Sequence, residues 1–102
     1  MPPDYDALRA IFERKSFLLT QHASDRAAQR VIRSDEIVET VVNGAVIEDY
    51  PDDKYGPSCL ILGNTDAGRI LHVQVSYPPD VKVITVYVPA PEAWEPDWKT
   101  RK

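Results

Sequence analysis

Two histidines, with cationic and hydroxyl side chains spaced around them, are the residues of this chain best suited to chemistry. His22, Arg26 and Arg30 recur every four residues, which on an α-helix lines them up in one row along its surface. Four residues advance about 6 Å. That spacing lets two arginines grip one phosphate, or neighbouring phosphates of a nucleic-acid strand. Arginine suits the task because its planar fork donates two parallel hydrogen bonds to phosphate oxygens, and an imidazole near neutrality moves protons. The same row also reads as a solvated helix face with a partly packed histidine. His72 lies in the segment Ile70-Leu71-His72-Val73-Gln74-Val75. Strand alternation puts His72 and Gln74 on one face and the apolar residues on the other. In the next apolar segment Thr85 and Tyr87 share one face, while Ile84, Val86 and Val88 share the opposite one. Aligning the apolar sets clusters His72, Thr85 and Tyr87. The plainer alternative is three half-exposed residues with good strand propensity.

The other reactive side chains read as structural. The run Glu48-Asp49-Tyr50-Pro51-Asp52-Asp53 offers carboxylates for general-base work, but acidic runs more often solvate a strand end and turn. Cys59 sits mid-strand, where a lone cysteine is usually a small buried residue. Two histidines fifty residues apart and one thiol do not make a metal-ligand spacing. No metal or cofactor is therefore expected. Trp94 and Trp98 are four apart with Pro96 between them, so that segment can staple over the core or dock on a partner.

Positioning these groups falls to helices first and strands later. Leu8, Ile11 and Phe12 recur at helical spacing within residues 4–14. Residues 16–19 read as extended. Thr20 can cap a second helix over residues 21–32, with Ala23, Ala27 and Val31 as its apolar stripe. The segment Ser34-Asp35-Glu36 reads as the capped start of a third helix, whose core face is Ile37, Val38, Val41 and Val42. Asn43-Gly44 supplies a left-handed stop. Strands follow at 45–50, 58–62, 70–77 and 81–88, joined by short turns that favour an antiparallel meander. The expected architecture is α+β: about three helices packed on one face of a four-stranded antiparallel sheet. One domain spans residues 1–102, divided into an N-terminal helix (1–15), a strand-helix-helix unit (16–44), the meander (45–88) and a Pro/Trp tail (89–102).

The chain has 102 residues, enough for one core without disulfides, and its single cysteine excludes an internal disulfide. No apolar run approaches the roughly 18 residues of a membrane span, and no charged-then-apolar leader is visible, so a cytoplasmic address is expected. Net charge is −4, which argues against a large non-specific nucleic-acid footprint. The charge is uneven: six basic against four acidic residues over 1–33, and six against twelve over 34–102. A basic front end leaves room for a local anion site.

The segments FLLTQHASDRAAQR, SDEIVETVVNGAVIEDYPDDKYGPSCLILG, GRILHVQVSY and VITVYVPAPEAW occur in that order. Together they resemble small DUF (domain of unknown function) proteins with an HAxxR core motif. The resemblance runs from about Phe17 to Trp98. It implies a toxin-like protein, often encoded beside YgiT-type zinc-finger antitoxins, with a fold similar to RelE-like and barnase/EndoU-like RNases. It points to His22, Arg26 and Arg30 from the helix motif, His72 from LHV, and Thr85 and Tyr87 from ITVY. Ribosome-dependent members of the RelE-like class tend to be basic, whereas this chain is acidic. The reading that follows is a metal-independent endoribonuclease toxin of a type II toxin–antitoxin pair. His72 acts as base and His22 as acid, Arg26 and Arg30 stabilise phosphate charge, Tyr87 orients a histidine or the phosphate, and Thr85 supports it. The expected partners are RNA, free or ribosome-associated, and an antitoxin of zinc-finger or helix-turn-helix type. The alternative is a non-catalytic module that holds a basic protein with its Trp tail and acidic strand surface.

Overall fold

The computed structural model describes residues 4–54 and 56–102. Helix α1 spans Tyr5–Glu13 and starts where the Asp4 carboxylate accepts hydrogen bonds from the Asp6 and Ala7 amides. Strand β1 is the pair Leu18–Leu19. Helix α2 spans Gln21–Gln29, helix α3 Ser34–Val42, and strands β2 Ala45–Tyr50, β3 Ser58–Asn64, β4 Ile70–Ser76 and β5 Lys82–Tyr87 follow. The strands form one sheet in the order β1-β5-β4-β3-β2. The α+β class agrees with expectation, but the sheet is five-stranded and mixed. The β2–β5 meander is antiparallel, and β1 runs parallel to β5 with Leu18 opposite Lys82. The extended segment expected at residues 16–19 holds this strand, and its parallel place at the β5 edge is what makes the sheet five-stranded.

All three helices bury their apolar sides on one face of the sheet. Leu8, Ile11 and Phe12 of α1, Ala23 and Ala27 of α2, and Ile37 and Val41 of α3 meet Cys59, Ile61, Leu71, Val73, Val75, Val83 and Val86. The β5 contribution corrects the alternation read from sequence. Gln74 pairs with Thr85 but Val75 pairs with Val83, so an extra residue bulges from β5. Val83 replaces Ile84 on the core face, and Val88 is exposed.

Helix ends also differ from expectation. Thr20 caps α2 as anticipated, its hydroxyl oxygen accepting from the Ala23 amide at 3.0 Å and donating to the Ile84 carbonyl at 3.2 Å. This second bond fixes the start of α2 against β5. The helix stops at Gln29, earlier than residue 32, because Val31 adopts a left-handed conformation at φ +53°. The Ile32 amide then reaches back to the Ala27 carbonyl at 2.8 Å, a Schellman-type closure. Arg69 donates to the freed Arg30 and Val31 carbonyls, both at 3.0 Å, and pairs with Glu36. A β-branched residue is unfavourable at such a position, by about 1–2 kcal/mol. Part of that is offset by the larger unfolded-state freedom of glycine. Since Val31 is 78% exposed and loses no packing, Val31→Gly should raise stability by about 0.5–1 kcal/mol, read as a higher melting temperature.

Arg33, not Ser34, is the residue preceding α3, and its amide donates to the Glu36 carboxylate at 2.9 Å. Asn43 is not left-handed. Gly44 serves instead as a contact point, since a Cβ there would lie 2.4 Å from the Leu62 carbonyl oxygen and 2.5 Å from that of Thr40. Gly63 of β3 faces the same Thr40 carbonyl, at 2.1 Å from an ideal Cβ. The two glycines let the end of α3 seat directly on the sheet.

Candidate functional site

The second face of the sheet carries the polar side chains and divides into an open half and a covered half. The open half is a cleft of about 790 Å³. Gln74 and Thr85, directly paired across β4 and β5, line it together with Lys82, Ile84 and Tyr77, and Thr20 and His22 of α2 close one side. His22 arrives there because the Thr20 cap ties the first turn of α2 to the β5 bulge. The bulge also turns Ile84, which would otherwise enter the core, toward the cleft, with Lys82 lining it on the same side.

Two pairs further along the same strands, past Val73 and Val86, His72 lies opposite Tyr87. This half is covered by the C-terminal segment. Glu95 and Thr100 join through a 2.8 Å backbone bond, Lys102 and Ala93 through one of 3.0 Å, and Trp94 bridges to Arg101. The Asp97 carboxylate closes the turn by accepting from the Lys99 and Thr100 amides, which lowers its pKa. Trp94 is buried and meets the His72 ring edge-on at 4.4 Å between centroids. Arg101 stacks over the outer side of Trp94 at 4.6 Å and grips both Glu48 oxygens at 2.9 and 3.0 Å.

His72 is fully buried and both ring nitrogens are engaged. Nε2 donates to the Trp98 carbonyl at 2.6 Å, which leaves Nδ1 to accept from the Tyr87 hydroxyl at 3.1 Å. Burial dominates its titration and lowers its pKa, against the Trp98 carbonyl and Glu48, which favour the charged form. Burial likewise raises the Tyr87 hydroxyl. Because the folded protein resists protonating His72, the unfolded chain takes the proton first. Stability from this site is complete above the ordinary histidine value of 6.5 and declines as pH falls from there toward the lowered folded value. Denaturant titrations at pH 7.5 and pH 5 should show this decline, and His72→Gln, which keeps a donor for the Trp98 carbonyl, should flatten it.

The sequence-predicted residues therefore separate. The structure brings His72, Thr85 and Tyr87 onto one face, and His22 beside Thr85. It does not put His22 and His72 in one open pocket, because the tail seals His72. Arg26 and Arg30 do not line the cleft. Arg26 donates to Gln29 at 2.9 Å, and Arg30 reaches the Val86 carbonyl at 3.4 Å. The tail staples rather than projects, so Trp94 is not available to a partner. The acidic run is likewise engaged within the fold: Tyr50 donates to Glu48, Tyr77 to Asp49, and Ser58 to Asp53 at 3.3 Å. Cys59 is buried, and its thiol is pushed up to about 12 by that burial. Among the described residues no group of three His, Cys, Asp or Glu side chains could hold a metal ion, and no helix is long and apolar enough to cross a membrane.

Lys82 and Tyr77 were missed as cleft residues. Strict alternation assigns Lys82 to the face of Ile84 and Val86, and only the bulge separates that set. No curated protein and no solved structure matches the chain. Residues 19–88, from β1 through the end of the meander, match the family model described as a domain of unknown function, DUF4258. The matched span holds α2, the cleft strands and His72, and the chain belongs to the DUF4258 family.

Proposed function

We propose that the chain is a metal-independent endoribonuclease whose scissile phosphate enters the cleft between the start of α2 and the paired residues Gln74 and Thr85. The observation that carries this reading is the placement of an exposed histidine, a lysine and convergent hydrogen-bonding side chains around one cavity of about 790 Å³. Such a volume suits a nucleotide and its flanking phosphates. The 2′-oxygen attacks phosphorus in line, the bond from phosphorus to the 5′-oxygen breaks, and a 2′,3′-cyclic phosphate is left. His22 gives its proton to the departing 5′-oxygen, and cleft water takes the proton of the 2′-hydroxyl. The Lys82 ammonium stabilises charge growing on the equatorial oxygens, with hydrogen bonds from Thr85 and Gln74. Arg26 and Arg30 continue from His22 along α2 and guide the strand outside the cleft. The RelE/barnase-like fold, the toxin role and an antitoxin partner belong to the same reading, and rest on the HAxxR, LHV and ITVY resemblance.

Incubating the purified protein with end-labelled RNA in EDTA tests the reaction. New fragments ending in 2′,3′-cyclic phosphate support it. Intact RNA over a range of sequences overturns it. The alternative, a module holding a basic protein through its tail, is not favoured, because Trp94 packs inside and Glu48 already binds Arg101.

A further inference from the structure

We infer that residues 94–101 form a removable strap that withholds His72 from the cleft, and that lifting it adds a second imidazole to the groove as general base. Four observations carry this. The covered and open halves are one continuous surface: His72 and Gln74 are alternate residues of β4, Tyr87 and Thr85 alternate residues of β5, and each pair lies directly across the strands. Two residues along a strand advance about 7 Å, so the strap cuts the groove short by about one nucleotide. Next, beside the buried Trp94 that meets the His72 ring, the strap holds its face through polar and ionic contacts. The Arg101–Glu48 clamp sits at the edge, with the arginine side chain 60% exposed, and the Trp98 carbonyl meets His72. Third, Trp98, whose carbonyl makes that latch, has a left-handed backbone at φ +63°. A bulky residue held there is strained, and such strain gathers at clamps and switches. Last, the family match ends at Val88, so the strap lies outside the matched span while His72 lies inside it.

Lifting the strap changes the chemistry in a defined way. Nε2 loses the Trp98 carbonyl and gives its proton to water as Nδ1 takes one up. Nδ1 then donates to the Tyr87 hydroxyl oxygen, which holds the ring in place, and Nε2 presents its lone pair. The freed imidazole then takes the 2′-hydroxyl proton in place of water, while His22 still protonates the leaving oxygen. This catalytic half rests on the ribonuclease reading, whereas the cover itself does not.

The test uses the full chain and two variants of the exposed clamp, Arg101→Ala and Glu48→Gln. Without RNA, diethyl pyrocarbonate labelling read by mass spectrometry should modify His22 readily in all forms and His72 slowly in the wild type. Removing one partner of a partly exposed ion pair should raise the open fraction, and with it the His72 labelling rate, by about fivefold. Cleavage of labelled RNA in EDTA should rise by the same factor, and the double variant His72→Gln/Arg101→Ala should show no rise. His72 labelled as fast as His22 in the wild type, or unchanged in both variants, overturns the strap. Faster labelling with unchanged cleavage overturns its role as a gate. Absence of cleavage from every form overturns the ribonuclease reading and the gate with it, while the labelling still decides whether the cover lifts.

Discussion

His22→Ala should lower RNA cleavage by about 10²- to 10⁴-fold, the range a positioned acid or base contributes. Stability should stay within about 0.5 kcal/mol, since the side chain is exposed and α2 is held by Thr20, Ala23 and Ala27. Retained fold is what makes the result informative, and circular dichroism with a melting curve establishes it. Arg26→Ala should cost far less activity, because Arg26 does not line the cleft. On the toxin reading, the same contrast in cells is growth inhibition by the wild type and its loss for His22→Ala. A His22→Ala protein that cleaves RNA at the wild-type rate would remove the acid from the mechanism and leave only a binding cleft.

Gly63→Ala should cost about 3 kcal/mol or more, a fall in melting temperature on the order of 15 °C for a domain of this size. The added Cβ would fall 2.1 Å from the Thr40 carbonyl oxygen and 2.9 Å from its carbon, both backbone atoms that cannot swing aside. Helix α3 must therefore lift from β3, loosening Ile37 and Val41, which are fully buried. Gly68→Ala is the matched control. That residue has φ +87° but open space around it, so only the left-handed penalty of about 1 kcal/mol applies. Equal melting points for the two variants would contradict the seating of α3 on the sheet.

The parts of the fold visible in the sequence are those set by local periodicity. The Thr20 cap, the order of helices before strands, and the sharing of one sheet face by His72, Thr85 and Tyr87 all follow from spacing alone. What stayed hidden depends on distant backbone. The β5 bulge arises from register against β4, so alternation put Ile84 in the core and overlooked Lys82 as a cleft residue. Gly44 reads as a helix stop because glycine favours left-handed turns, and only the approach of Leu62 reveals its other use. His72 shows the same limit at the site. Its face was legible, but the segment that covers it has too many prolines and too little periodicity to be placed.

The parallel pairing of β1 with β5 has a consequence for how the molecule is made. Thr20 and Ile84 are 64 positions apart, yet their bond holds the start of α2 where the cleft requires it. Contacts so distant along the chain form late and slow the folding of a domain. During synthesis, a nascent chain that has emerged only through β4 has no β5 to receive β1, and His22 then has no cleft to border. The cleft is thus assembled only once the last strand has joined, whatever chemistry it then performs.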